Sequence, residues 1–208
     1  MGFVKAGTTS LNIVAPESRQ LPLERLAGND ADERRRAARL LSRDPGTASA
    51  LAACLQSEPD AGVREALFGG LVDIGGPAAA EFIAPFLRSA DAGIRGEAIE
   101  SLKRLGEQAV AALDGLLADA DPDVRLLAIE VTRVWPPGLA DPRLHRIIQS
   151  EPHVNVCIAA VDVATEVGTS DLLAALTCLP ARFPGDAFLA FAVDVACARI
   201  QAAGDRSP

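Results

Sequence analysis

An internal repeat with a period of about thirty residues most constrains what this chain can fold into. Three segments share a β-branched residue, then Arg, then a small or apolar residue three positions further on. They are Val63-Arg64-Glu65-Ala66-Leu67, Ile94-Arg95-Gly96-Glu97-Ala98 and Val124-Arg125-Leu126-Leu127-Ala128. Their β-branched residues are 31 and 30 residues apart. Such a period is typical of arrays in which each copy buries its apolar face against its neighbours.

Each copy of the repeat predicts a pair of helices. An Asp precedes each motif, at positions 60, 91 and 121, where a carboxylate can accept a hydrogen bond from a backbone N–H at the start of a helix. Gly75, Gly106 and Pro136 follow eight residues after the small or apolar position and should end the first helix. The chain has 39 alanines, which favour helix over strand.

The repeat frame sets the predicted extent of the helices. First helices are expected near 31–42, 60–73, 91–105, 121–134, 152–167 and 186–202. Second helices are expected near 47–57, 77–88, 107–118, 141–149 and 170–180, with Pro85 kinking one of them. The frame weakens at its ends: Arg35 and Ala38 fit a first copy, and Cys157 stands where Arg is expected. We therefore predict an N-terminal extended segment or tail over 1–21, a single repeat array over 22–204 and a frayed tail over 205–208.

The motif identifies a family resemblance. The Asp-x-x-(Val/Ile)-Arg starts at 60–64, 91–95 and 121–125, with Gly75, Gly106 and the Leu-Leu pair at 116–117, resemble the HEAT-repeat family. In its short form the pattern is similar to the bilin-lyase-type HEAT-like repeats. The resemblance implies an all-α, right-handed α-solenoid, an armadillo-type superhelix, of about five helix pairs plus a final helix. It also implies that the second helices line the concave side, which is the usual binding face.

The repeat register picks out residues of the second helices that should face this concave groove. Equivalent core residues are Leu51, Ile83, Leu113, Leu144 and Leu176. The neighbouring groove positions that we take as candidate protein-binding residues are Phe82, Ala112, Arg143, Arg146 and Ala175. Such a floor is mostly small and uncharged, with one aromatic projection and one basic spot. It would let a helix or an extended segment approach closely, unless the residues are small only because adjacent helices crowd.

Two sets of charged residues stand out. One set recurs in phase with the repeat, and the other clusters on the first predicted helix. We predict a structural Asp/Arg ladder, in which each Arg reaches a loop Asp of a neighbouring copy. Its members are Asp60, Arg64, Asp91, Arg95, Asp121 and Arg125. The alternative is that the arginines form a row of cations for an anionic ligand. A candidate docking end for an acidic partner or a phosphate is formed by Arg35, Arg36 and Arg39. The alternative for that cluster is a solvated face of the first helix.

Composition excludes several classes of function. The net charge of −8 argues against a nucleic-acid-binding surface. The four cysteines form no CxxC pair and lie in apolar segments, as free, buried thiols of a reduced, cytoplasmic protein would. We find no signal peptide, no apolar run of membrane-spanning length, no metal-ligand cluster and no catalytic motif. No cofactor, metal, nucleic acid or membrane is therefore expected, and the protein is not expected to be an enzyme.

We therefore expect a non-catalytic scaffold or adaptor that recruits or regulates a partner protein through the concave groove. Phe188, Leu189 and Phe191 make the last helix a second candidate contact, with a partner or in a homodimer. The alternative is a bilin-lyase-like chromophore attachment enzyme or chaperone, which the 4% aromatic content and the absence of Tyr disfavour. A third reading, similar to the HEAT-like DNA glycosylases, would need a basic concave face with aromatic residues that stack on bases.

Overall fold

A computed structural model of the chain describes residues 16–204. Within these residues every regular element is an α-helix or a short 3₁₀ helix. The chain divides between Ile74 and Gly75 into two compact units. The predicted all-α class is therefore confirmed.

The first unit contains four α-helices within residues 16–74, the part of it that the structure describes. They are α1 (Pro16–Leu26), α2 (Ala31–Leu41), α3 (Ala48–Leu55) and α4 (Ala61–Ile74). Helix α2 packs against α1 and α4, and α3 packs against α4. The core between them is mainly aliphatic and includes the buried residues Leu41, Leu51, Leu55, Leu67 and Phe68.

Helix α1 is absent from the sequence-based prediction. The extended segment or tail predicted over 1–21 is wrong for residues 16–21, which are helical, while residues 1–15 lie outside the described part of the chain. Leu26 is buried, whereas Leu21 and Leu23 are exposed, so the apolar residues do not mark a single face. Proline at the first position of a helix is favourable, and Pro16 was the signal available for this start.

The second unit contains eight helices among its described residues. They are α5 (Gly76–Ile83), α6 (Ala92–Leu105), α7 (Val110–Leu116), α8 (Pro122–Val131), α9 (Pro137–Ser150), α10 (Val154–Val167), α11 (Leu173–Cys178) and α12 (Ala187–Gly204). The first helices of successive copies lie side by side, α6 with α8, α8 with α10, and α10 with α12. Among the second helices, α5 packs against α7 and α9 against α11. The unit thus has a first-helix layer and a second-helix layer.

The predicted register of the repeat is confirmed by burial. The five equivalent second-helix residues are all fully buried: Leu51, Ile83, Leu113, Leu144 and Leu176. Burying such a side chain contributes about 1.5–3 kcal/mol, so these positions hold each copy in phase.

Prolines and glycines shape the ends of the helices as predicted, with one exception. Helix α5 ends at Ile83 and the chain continues as a 3₁₀ helix, Ala84–Arg88, because Pro85 lacks an N–H and its ring crowds the preceding turn. Gly75 and Gly106 adopt positive φ angles of 69° and 58°, which favour glycine. Helix α9 differs from the prediction, since it begins at Pro137 rather than near residue 141.

Helix α12 corrects the expectation that no apolar segment is long enough to cross a membrane. It has 18 residues with a mean hydropathy of 1.4, so by length and composition alone it is long and apolar enough to cross a membrane. One face carries the buried residues Leu189, Val193, Ala196 and Ile200, and the helix packs against α10 and α11. A single helix of this kind is weak evidence for a membrane span, because helices of soluble proteins pass the same test.

Candidate functional site

Each of four first helices is fixed to the loop before it by an arginine. The guanidinium Nη1 donates hydrogen bonds to two backbone carbonyl oxygens, six and five residues earlier in the chain, at 2.8–3.4 Å. We call this contact the arginine clamp. It is made by Arg34, Arg64, Arg95 and Arg125.

The predicted Asp/Arg ladder is therefore corrected in its contacts. The carboxylates of Asp30, Asp60, Asp91 and Asp121 accept hydrogen bonds from backbone N–H groups at the start of their own helices, at 2.7–3.3 Å. Each Asp precedes its clamp arginine by four residues, so the Asp caps the helix while the Arg binds the loop. This spacing also moves the first copy from Arg35 to Arg34.

Two of the clamps continue into the next copy through a buried glutamate. Arg34 donates from Nε and Nη2 to both carboxylate oxygens of Glu58 at 2.8 Å, and Arg125 does so to Glu151 at 2.8 and 2.7 Å. The hydrogen bond from Arg34 lowers the pKa of Glu58. Burial opposes ionisation of Glu151, but the hydrogen bonds from Arg125 and from the His153 N–H lower its pKa nevertheless. Sequence reasoning missed these glutamates because they recur in only two of the copies.

The fifth copy keeps the loop contact with a different arginine. The Sγ atom of Cys157, which stands at the clamp position, lies 3.5 Å from the Glu151 carbonyl oxygen. Arg182, which follows α11, donates to the same oxygen and to the carbonyl of Ile148. A residue from the second-helix layer therefore replaces the missing clamp.

The cysteines differ more than their sequence surroundings predict. Burial raises the pKa of the Cys157 thiol to about 11, so this thiol is protonated at neutral pH. Cys178 is exposed, and Cys54 and Cys197 are half-buried. The prediction that all four thiols are free is confirmed, but the prediction that all are buried is wrong.

The second-helix layer of the second unit carries a fixed polar site on α9. Arg143 donates from Nε and Nη2 to the two carboxylate oxygens of Asp114, both at 2.7 Å, and from Nη1 to the Leu139 carbonyl at 2.9 Å. Its guanidinium carbon lies 5.3 Å from the ring centroid of Trp135. Asp114 belongs to α7, one copy earlier, and sequence reasoning missed it. The 29-residue separation of the pair, close to the repeat period, was the available signal.

Arg146 lies beside this site with its side chain open to solvent. Its Nη2 atom is 3.8 Å from Asp114 Oδ1, and its side chain is 56% exposed. Arg143 donates a hydrogen bond to each oxygen of Asp114, whereas Arg146 makes only a long contact with that carboxylate. Its remaining N–H donors are available for another acceptor.

The other predicted groove residues differ in how far they are exposed. Phe82 and Ala112 are half-buried, but Ala175 is only 8% exposed, so it cannot contribute a binding surface. Helix α11 has only six residues and lies between two 3₁₀ turns. In this short helix Ala174 is exposed instead of Ala175, while the core residue Leu176 keeps its buried register position.

The predicted docking end on α2 is basic and largely exposed. Arg36 and Arg39 are exposed, and Arg35 is half-buried with Nη1 3.2 Å from Asp32. In residues 16–204, no group of three or more His, Cys, Asp or Glu side chains is arranged to hold a metal ion.

Comparison with known proteins identifies the repeat. The family model for HEAT repeats matches residues 20–103 and 48–133, which together span more than half of the 208 residues. No curated protein matches the sequence significantly.

Several solved structures of helical repeat proteins are similar to this chain. The archaeal HEAT-like repeats protein from Thermococcus onnurineus NA1 is 14% identical, with a TM-score of 0.49 and 90% of this chain and 88% of that chain covered. A designed armadillo repeat protein in complex with the peptide (KR)4 is 17% identical, with a TM-score of 0.45 and coverages of 87% and 99%. The complex of CpcE and CpcF of phycocyanin lyase from Nostoc sp. PCC7120 gives 15% identity, a TM-score of 0.37 and coverages of 96% and 100%. From the family model and the repeated helix pairs that it matches, the chain belongs to the HEAT-repeat family.

Proposed function

We propose that this protein is a non-catalytic scaffold or adaptor that binds an extended segment of a partner protein. The binding surface is the second-helix layer of the second unit, and the segment carries an acidic side chain that pairs with Arg146. The single observation that supports this proposal is the solvent-open guanidinium of Arg146 beside a carboxylate whose two oxygens each already accept a hydrogen bond from Arg143.

The surroundings of Arg146 favour binding because the neighbouring side chains are already held in place before a ligand binds. Arg143 is held by Asp114, by a backbone carbonyl and by the Trp135 ring, so the site exists before a ligand arrives. A carboxylate can accept two parallel hydrogen bonds from the planar guanidinium of Arg146. Arginine is also among the residues that contribute most to binding energy at interfaces.

Phe82 gives the proposed segment a second contact on the same layer. It lies on α5, and α7 is the helix between α5 and α9, since α5 packs against α7 and Asp114 of α7 pairs with Arg143 of α9. Packed helices lie about 8–10 Å apart, which puts Phe82 roughly 16–20 Å from the α9 site. An extended segment rises about 3.3 Å per residue. We therefore expect an apolar residue in the partner about six positions from the acidic one.

The experiment captures partners with the purified chain by cross-linking and then measures binding of the identified segment by isothermal titration calorimetry. We expect Arg146→Glu to raise the Kd by at least about tenfold, since it places like charges in contact. Phe82→Ala should raise the Kd while leaving most of the stability intact, because its side chain is half-buried.

Arg104→Glu provides the matched control. Arg104 is exposed on α6 in the first-helix layer, so the same charge reversal there should leave the Kd unchanged. If Arg146→Glu and Phe82→Ala both bind the segment as tightly as the wild type does, the second-helix layer is not the binding surface and the proposal fails.

A further inference from the structure

An apolar groove lies on the first-helix layer, away from the surface proposed above. It has a volume of about 470 Å³ and runs between α10 and α12, with one residue of α8 at its edge. Its apolar lining includes Leu126, Ile158, Ala159, Phe188, Phe191 and Val195. All of these residues belong to the second unit.

The α12 side of this groove exposes large apolar side chains in a row. Phe188 and Phe191 are each 64% exposed, and Val195 is also exposed. Their spacing of three and four residues places them on one face of the helix. Adjacent exposed aromatic side chains of this kind mark an interaction surface rather than the isolated apolar residues found on most protein surfaces.

Asp162 gives the rim of the groove on the α10 side a negative charge, and it belongs to a network of ion pairs. Arg133 pairs with Glu130, Asp162 and Glu166 at 2.7–2.8 Å. Lys103 pairs with Glu130 at 2.9 Å and with Glu100 at 3.1 Å.

Carboxylates outnumber cations in this network, because four of them share two cations. Asp162, which also lines the groove, has a side chain that remains 66% exposed despite its pairing. It can therefore accept a further cation from a ligand. Asp194 of α12, the residue before Val195, is exposed as well.

We propose that this groove binds an amphipathic helix of a partner protein, with apolar side chains against Phe188, Phe191 and Val195 and Lys or Arg beside Asp162. The row from Phe188 to Val195 extends about 10 Å along the helix axis at 1.5 Å per residue. It therefore receives about two turns of a partner helix, which presents apolar anchors at i, i+3, i+4 and i+7.

The charge of the rim distinguishes this occupant from two others. A second copy of this chain would bring its own Asp162 to the contact, and like charges that face each other oppose association. An anionic membrane surface would be repelled for the same reason. A helix with a basic flank satisfies both the apolar floor and the acidic rim.

The test uses two synthetic peptides that share one Leu stripe at helical spacing and differ only in their flanks, with Lys in one and Glu in the other. Fluorescence anisotropy measures the binding of each peptide to the full chain. We expect the Lys peptide to bind at least about tenfold more tightly than the Glu peptide, with a preference that shrinks as salt is added. Asp162→Asn should reduce this preference.

Phe191→Ser tests the apolar floor. We expect it to raise the Kd of the Lys peptide by at least about tenfold while the thermal melting temperature stays unchanged, because the side chain is already exposed. Leu40→Ser is the matched control, since Leu40 is exposed on α2 of the first unit, and it should leave the Kd unchanged. Arg146→Glu should also bind the Lys peptide normally, which separates this proposal from the function proposed above.

Three outcomes would overturn the proposal. Equal affinity for the two peptides, or normal binding by Phe191→Ser, would show that the groove does not select a basic amphipathic helix. Sedimentation that detects a dimer dissociated by Phe191→Ser would identify a second copy as the occupant. Binding to phosphatidylcholine or phosphatidylglycerol vesicles that Phe191→Ser abolishes would identify a membrane.

Discussion

The buried pair of Arg125 and Glu151 gives the most direct test of how the copies are held together. Arg125→Ala removes two hydrogen bonds to Glu151 and two hydrogen bonds to loop carbonyl oxygens. Glu151 is only 4% exposed. Removing one partner of a buried pair leaves an uncompensated charge and costs about 3–5 kcal/mol. Arg95→Ala removes only the two contacts with loop carbonyls that its clamp makes, for which about 1–3 kcal/mol is expected.

Urea denaturation followed by the fluorescence of Trp135 measures both costs. Trp135 is the single tryptophan of the chain and lies in the second unit with both arginines, so the signal reports on the unit that the substitutions perturb. We expect Arg125→Ala to lower the free energy of unfolding by about 2 kcal/mol more than Arg95→Ala does. Equal losses would refute the argument that the inter-copy pair contributes beyond the clamp itself.

The pH dependence of this difference is also fixed by the structure. The folded state holds the pKa of Glu151 below its usual value, so the pair stabilises the fold at pH values above the usual pKa of a glutamate. This stabilisation is lost as the pH falls through the lowered pKa in the folded state. In Arg125→Ala, protonation of Glu151 removes the unpaired charge, so the gap between wild type and variant should narrow below about pH 4. A gap that stays constant down to acid unfolding would contradict the assignment.

Two further predictions rest on local geometry. Gly168→Ala should destabilise the protein by about 1–3 kcal/mol in the same urea assay, since a Cβ atom there would lie 2.5 Å from the Ala164 carbonyl oxygen. Gly115→Ala should instead stabilise the protein by about 0.5–1 kcal/mol, because nothing lies within 4 Å of the added Cβ atom. Iodoacetamide at mildly alkaline pH should label the exposed Cys178 but leave Cys157, whose pKa is about 11, unmodified until the protein unfolds. Peptide mass spectrometry distinguishes these two sites, and early labelling of Cys157 would contradict its burial.

The helix pairs and their register could be predicted from the sequence because burial follows the repeat. Leu113 and Leu144 illustrate this, since each occupies the same buried position in its copy. Two kinds of contact could not be predicted in this way. The clamp recurs in four copies, but its acceptors are backbone oxygens, which leave no mark in residue identity. The pair of Arg125 and Glu151 could not be predicted because most copies have no glutamate at the position of Glu151.

The candidate surfaces were predictable only in part. Arg146 is exposed on the second-helix layer as predicted, but Ala175 is buried and the residue before it, Ala174, is exposed instead. The groove beside Phe191 could not be seen in the sequence, since its lining comes from three helices that only the packing brings together. A local pattern reports which residues share one helix face, whereas a groove depends on how two faces meet.

The arginine clamp has a consequence for protein engineering. Its acceptors are carbonyl oxygens that every amino acid possesses, and the carbonyl of Pro59 serves Arg64 as well as that of Ala90 serves Arg95. The loops between copies can therefore exchange residues as long as the capping Asp, the arginine four positions later and the buried glutamates Glu58 and Glu151 are kept. A library that randomises the other loop residues while fixing those positions would yield interchangeable modules, each bringing its own loop surface to a shared framework.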